Sequence, residues 1–390
     1  MDKCNILFAL IRAKIEGIQS VSDDEKAEIE GADLISLYEL SSHHDITHIV
    51  GSALDDLGLL SDDEISNKFR KKVYASVFRY RGLEFELERI TETLAEGKIA
   101  HIPLKGSVLR HYYPEAWMRT SCDIDILVKR DELEIAMKLL VDKLGYRVDH
   151  TCFHDVTLYS EGGVHLELHF ELIEEFSYPK VEAVLKNVWD MATPTENGYT
   201  YKMSEELFYF YHIAHMLKHF VGGGCGIRFF LDLYILDKRN AMGAEQFETL
   251  LSEGGILEFS RHASKLSRIW FSTDESSEFY EDFGDVVIRG GIYGEVETRV
   301  LVQQARRGGK LRYALSRIFP SYKVMREIFP VLKKHRWLTV LFHPVKWFRI
   351  IFHGRFSLSV RELRENSTIS SSDAKKASLM LDALGVPDKK

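Results

Sequence analysis

One short strand limits what this chain can fold into more than any other stretch. Residues 123–128 read Asp-Ile-Asp-Ile-Leu-Val, an apolar run that keeps two carboxylates two positions apart. Side chains at i and i+2 of a strand share a face. Asp123 and Asp125 therefore project together, while Ile124, Ile126 and Val128 turn the other way, toward a core. A buried charge without a partner is costly, so such a strand needs something to neutralise it. The stretch VHLELHFEL from Val164 repeats the alternation, with His165, Glu167, His169 and Glu171 on one face and Val164, Leu166, Leu168 and Phe170 on the other. If the two strands are neighbours, Glu167 joins the aspartates. Three carboxylates that close raise one another's pKa unless cations sit among them. A cluster of oxygen donors suits Mg²⁺ or Mn²⁺, with water and phosphate completing the shell.

Upstream stands Lys105-Gly106-Ser107, followed by VLRHYY, which reads as a helix. Glycine lets a backbone approach a phosphate closely, and a helix start offers free N–H donors. Ser107 can donate its hydroxyl to a phosphate oxygen. Lys105 and Arg119 add positive charge, Arg119 as a two-pronged clamp, and Lys218 on a later helix can be aimed at a triphosphate. Together the parts describe two-metal phosphoryl transfer: Asp123 and Asp125 bridge the metals, while Glu167 completes the acceptor-side site and takes the proton. Singly the signals are weak, since a Gly-Ser is commonly just a turn and an Asp-x-Asp strand an exposed edge. The conjunction is specific, with Asp123 sixteen positions after Ser107 and an apolar-framed Glu on a later strand.

The 390 residues, 45% hydrophobic, suffice for two or three packed units. The net charge of −8 argues against a globally basic nucleic-acid binder. Four cysteines with no CxxC pair, an amphipathic rather than signal-like start and no membrane-length apolar run lead to the expectation of a cytoplasmic protein. Four regions are expected: residues 1–95 helical, 96–195 the catalytic core, 196–300 helical and packing on the cleft, and 301–390 a basic C-terminal segment and tail. In the first, Ser41, Ser42 and the run at Ser61 read as helix starts, and a long helix spans about 65–96. In the second, a helix from about 131 ends at Gly145, and Glu161-Gly162-Gly163 joins two strands in a hairpin. Helices follow at EELFYFYHIAHMLKHF, IRFFLDLYILDKR, AEQFETLLSEG and FSRHASKLSRIWF. The tail NSTISSSDAKKAS is expected to be weakly ordered, with one short helix after it. The fold class is α+β: a mixed sheet with flanking helices inside extensive helical segments.

Further residues stand near this frame. His212, His215 and His219 fall at helical spacing, and with no acidic or cysteine partner on that helix they read as lining or packing residues. Arg228 and Asp232, four apart, read as a structural pair. His169 supports Glu167 or the acceptor. From Arg306 to Arg355 the only acid is Glu327, and aromatic residues are interleaved with Lys and Arg. Such a surface suits RNA or an anionic membrane face. The reading favoured here is a basic helix pair closing the cleft.

Gly106-Ser107, Asp123-x-Asp125 and Glu167 in their apolar frames resemble the nucleotidyltransferase superfamily whose core is shared with DNA polymerase beta. More closely, Leu104-Lys105-Gly106, Arg119 through Asp125, Glu167-x-His169, His215-Met-Leu-Lys218-His219 and Arg228-x3-Asp232 resemble the bacterial uncharacterised nucleotidyltransferase family. YKVMREIFPVLKKHRWL from Tyr322 extends the likeness, which runs from about residue 30 to 350. The resemblance implies a polymerase beta-like core and transfer of a nucleoside monophosphate from an NTP, ATP first among them, to an unidentified acceptor such as a small-molecule or protein hydroxyl. The competing reading is a non-catalytic module that senses nucleotide or binds RNA or membrane. Oligomeric state leaves no legible trace.

Overall fold

Strand alternation decides how the layers stack. The protein's structure is a computed structural model that describes residues 2–152, 154–172, 178–239, 244–272, 274–292, 294–352 and 356–386. It comprises two units, Met1–Met216 with Ile227–Ser276, and Leu217–Gly226 with Ser277–Asp388. The first unit opens with helices α1 (Lys3–Glu16), α2 (Asp23–Glu30), α3 (Leu34–His43), α4 (Thr47–Asp56) and α5 (Glu64–Glu96). Next come β1 (His101–Pro103), α6 (Gly106–Leu109), β2 (Asp123–Val128), α7 (Leu133–Leu144), β3 (Arg147–Thr151), β4 (Asp155–Tyr159) and β5 (His165–His169). Helix α8 (Pro179–Leu185), a small hairpin of β6 (Ala192–Pro194) and β7 (Tyr201–Met203), and helices α9 (Glu205–Val221, counted in the second unit from Leu217 on), α10 (Ile227–Arg239), α11 (Ala244–Gly254) and α12 (Leu257–Phe271) follow.

The main sheet has the order β1-β2-β5-β4-β3, with β2 and β5 parallel and the other pairs antiparallel. This is the mixed α+β class that the sequence predicts. One face is dry. Ile124, Ile126, Val128, Leu166 and Leu168 pack there against Leu83, Leu87, Ile90 and Leu94 of α5 and Ala136 and Leu140 of α7. Fully burying each such side chain stabilises the fold by about 1.5–3 kcal/mol, which fixes the register and sends the alternate residues to the other face.

The long helix begins where Asp63 caps it, accepting the Ser66 N–H at 2.8 Å. Helix α7 stops at Gly145, whose φ of 70° lies in the left-handed region that glycine enters without a Cβ penalty. The β4–β5 hairpin is closed by Ser160 N–H on the Val164 carbonyl at 3.0 Å. Ser41 and Ser42 are not helix starts: they lie inside α3, where the Ser41 hydroxyl donates to the Tyr38 carbonyl at 3.1 Å. Strand β3 escaped the reading because all five of its residues are exposed and show no apolar alternation.

Helix α4 is tied to the segment before β2 by His48, whose Nε2–H donates to the Met118 carbonyl at 2.7 Å. Burial pushes the His48 pKa down to about 4, against about 6.5 in an unfolded chain. Its neutral form therefore supports the fold fully above pH about 6.5. That support is lost as the pH falls from there through about 4, a decline of up to roughly 3 kcal/mol. Urea unfolding across this range should show a shallower acid limb in His48→Gln than in the parent chain.

The second unit contains α13 (Glu278–Gly290), α14 (Val296–Arg306), α15 (Lys310–Ile318), α16 (Tyr322–Ile328), α17 (Thr339–Phe352), α18 (Phe356–Thr368) and α19 (Ser371–Ala383). Val296 and Val300 of α14 pack with Tyr313 and Ile369. Buried Glu362 pairs with Arg299 at 2.9 Å and with Arg317. The tail expected to be weakly ordered is helical here. Ser370 caps α19 by accepting the Asp373 N–H at 3.0 Å, and Ala377, Met380 and Leu381 are buried.

Candidate active site

The parallel register of β2 and β5 sets Asp123 beside His165 and Asp125 beside Glu167. All four side chains leave the sheet on the face opposite the α5–α7 core. Lys105 Nζ lies 2.7 Å from Asp125 Oδ1, and His169 Nε2 donates to the same oxygen at 2.9 Å. The His169 nitrogen also lies 3.4 Å from Glu167. Burial raises the Asp125 pKa, but the Lys105 ammonium and the His169 bond outweigh it and hold the carboxyl well below the usual range. For Asp123, burial and then the neighbouring Asp125 charge push the pKa up. One carboxylate is thus neutralised by the protein while the next is short of positive charge.

That imbalance is the test of whether a divalent ion fits. The ligand atoms of Asp123, His165 and Glu167 lie within 4.8 Å of one another, as do those of Asp125, Glu167 and His169. Carboxylates with imidazole nitrogens are a suitable donor set for Mn²⁺, and the oxygens alone for Mg²⁺. The sequence predicts oxygen donors only; the strand alternation adds the His165 imidazole to the first group, while His169 Nε2 in the second is already committed to donating to Asp125.

The Lys105-Gly106-Ser107 turn is held under tension beside this cluster. Lys105 has a φ of 44°, rare for a residue with a Cβ. Leu104 N–H bonds the Asp125 carbonyl at 2.9 Å, and Leu109 N–H bonds the Lys105 carbonyl at 2.9 Å. A Cβ at Gly106 would stand 3.1 Å from Ser121 Cβ, so glycine here serves a close backbone approach to Ser121. Ser107 is 4% exposed, and its Oγ has no hydrogen-bond partner among the described residues. A buried hydroxyl left open in this way is costly unless a ligand takes it.

Arg110 was not foreseen. It is 1% exposed, its Nε donates to the Gly106 carbonyl at 2.8 Å and its Nη2 to Ser121 Oγ at 2.9 Å. Ser121 Oγ in turn donates to the Asp123 carbonyl at 3.1 Å. Arg110 thereby fastens the turn to the start of β2. The only trace in the sequence is its place four residues after Gly106, one helical turn on.

Other predicted residues have different roles. Arg119 Nε donates to Asp232 at 2.7 and 2.9 Å, and the Tyr113 hydroxyl donates to Asp232 Oδ1 at 2.6 Å. Asp232 does not hydrogen-bond Arg228 as the four-residue spacing suggests. Arg228 reaches Asp45 at 2.6 Å, and Thr120 Oγ1 donates to the same Asp45 oxygen at 3.0 Å. Both pairs brace residues 119–120, which lead into β2. His212 packs, donating to the Phe229 carbonyl at 3.3 Å, and the His215 ring lies 5.6 Å from the Phe229 ring. Lys218 belongs to the second unit.

Fold and site together define an α+β protein with a nucleotidyltransferase core. Residues 30–272 match the model of a family described as uncharacterised nucleotidyltransferase. The chain belongs to that uncharacterised nucleotidyltransferase family. The stretch from Tyr322 lies beyond the matched span. No curated protein and no solved structure matches the chain. No described helix is long and apolar enough to cross a membrane.

Proposed function

We propose that the protein moves a nucleoside monophosphate from an NTP, ATP first among them, to a hydroxyl of a small molecule or protein, with Mg²⁺ or Mn²⁺ at Asp123, Asp125 and Glu167. The observation that carries this is the parallel pairing of Asp125 with Glu167, with Asp123 on the same face. The acceptor oxygen forms a bond to the α-phosphorus, the bond from that phosphorus to the bridging oxygen breaks, and pyrophosphate leaves. When bound, the divalent ions lower the acceptor's pKa and offset charge on the triphosphate. Glu167 receives the acceptor proton. Ser107 Oγ donates to a phosphate oxygen, Lys105 and His169 keep Asp125 ionised, and Arg110 holds the turn in place. His165 supplies a nitrogen donor beside Asp123.

The test is pyrophosphate release from each NTP with Mg²⁺ or Mn²⁺ against a pool of hydroxyl acceptors, together with thermal shift by nucleotide and metal. Metal-dependent release that is lost in Asp123→Asn supports the reading. Nucleotide binding with no turnover against any acceptor overturns it. Ser107→Ala should weaken NTP binding about 10-fold, the worth of one hydrogen bond to a charged group, with little change in melting, since the parent hydroxyl bonds none of the described residues.

A further inference from the structure

Helix α17 presents one row of apolar residues outward. Trp337 just ahead of it, then Val340, Leu341, Val345, Phe348 and Ile351, recur at three- and four-residue steps and so share one face. They are 46% to 74% exposed. Scattered exposed apolar residues are ordinary, but a contiguous face of them marks an interaction surface. The other side of the helix is engaged within its own unit. Trp347 Nε1 donates to the Ile318 carbonyl at 3.0 Å, Lys346 Nζ to the Arg317 carbonyl at 2.7 Å, and the Phe342 ring meets Phe329 at 5.0 Å. Helix α15 adds Leu311, Leu315 and Phe319 at four-residue steps, 46% to 72% exposed. The Phe319 ring lies 5.6 Å from His343 of α17.

Charge identifies the occupant. Residues 306–355 carry thirteen Lys and Arg against the single acid Glu327, in a chain whose net charge is −8. Lys333, Lys334 and Arg336 stand exposed directly before the apolar face. Behind it, a cavity of about 900 Å³ is lined by Arg307, Arg317, Lys346 and Arg349, with Glu362 the one acid among the described residues of its wall. Phe319 belongs to both the cavity wall and the exposed set. A surface that offers apolar depth and dense negative charge together is an anionic bilayer.

We infer that this face of the second unit docks on an anionic phospholipid surface, with α17 lying in the interface, its apolar side among the acyl chains and the Lys and Arg side chains on the headgroups. Its 14 residues fall short of the roughly 20 that a span needs, so the helix lies in the membrane plane. Interfacial Trp337 suits the headgroup level. This inference does not depend on the chemistry at the sheet, and its test does not use turnover.

The experiment is flotation of the full chain with phosphatidylcholine vesicles, with or without phosphatidylglycerol, at low and high salt. Binding only to the anionic vesicles, weakened by salt, is expected. Val340→Glu/Leu341→Glu should reduce partitioning about 100-fold or more. Lys333→Ala/Lys334→Ala should reduce it roughly 30-fold. Melting of these variants should be unchanged because the residues are exposed. Absence of flotation at low salt overturns the inference, as does equal binding to neutral vesicles or binding that survives the Glu pair. A dimer dispersed by the Glu pair, or an RNA mobility shift, in either case without flotation, assigns the face to another partner and overturns it as well.

Discussion

Asp125→Asn should cut pyrophosphate release by about 10³-fold or more while the chain still folds. Asparagine keeps the shape and one acceptor oxygen but removes the charge that three features converge on: Lys105 at 2.7 Å, His169 at 2.9 Å, and the shared ligand group with Glu167. On the proposed mechanism this removes a metal ligand and with it several kcal/mol of charge stabilisation, each 1.36 kcal/mol being a factor of ten in rate. The control is Glu171→Gln, near the end of β5, where the acid is half exposed and paired with Arg130 at 2.7 Å. An exposed pair of that kind is worth little, so both activity and melting should stay near the parent values. Equal activity in Asp125→Asn and Glu171→Gln, measured as single-turnover release, would remove the carboxylate trio from the mechanism.

Asp232→Ala should destabilise the fold by about 3–5 kcal/mol, the largest stability effect expected here. Asp232 is 0% exposed and accepts from both Arg119 and Tyr113. Removing it leaves a guanidinium and a phenol buried without a partner, which costs far more than the pair itself contributes. Arg119→Met/Asp232→Leu, which removes both charges, should recover much of the loss. The comparison also decides the role of Arg119. A residue that clamps the triphosphate would lower NTP affinity when changed; a brace, as its geometry indicates, would lower the urea midpoint and leave KM for the NTP nearly unchanged.

What the sequence made legible was whatever strand alternation and spacing encode. Asp123 with Asp125, and Glu167 on its own strand, could be assigned to the face opposite the core from period-two patterning, but that their strands are neighbours was only a condition in the sequence and is given by the fold. Helix α5 and the stop at Gly145 followed from apolar recurrence and one glycine. Side-chain choices among several partners were not legible. Asp232 lies four residues from Arg228 in the chain, yet it is Arg119, more than a hundred residues earlier, that donates to it. Arg110 carried no pattern beyond its offset from Gly106, because bonds to a carbonyl and a hydroxyl leave no mark on neighbouring residue types. Helix α18 and the first turns of α19 were hidden by a polar, serine-rich composition, while the apolar run ASLMLDALG marked the second half of α19; packing against α14 overrides the weak local preference.

The pairing of Asp125 with Glu167 also bears on how the chain folds. The two residues are 42 positions apart, and α7, β3 and β4 lie between their strands. Closing such a loop must be completed before the contact repays it. The carboxylate set is therefore non-local: Asp125 and Glu167 come together only once β5 pairs with β2. Divalent cation added during refolding should then leave the early collapse unaffected and slow the unfolding of the finished sheet, so that ligand occupancy reports completion of the topology.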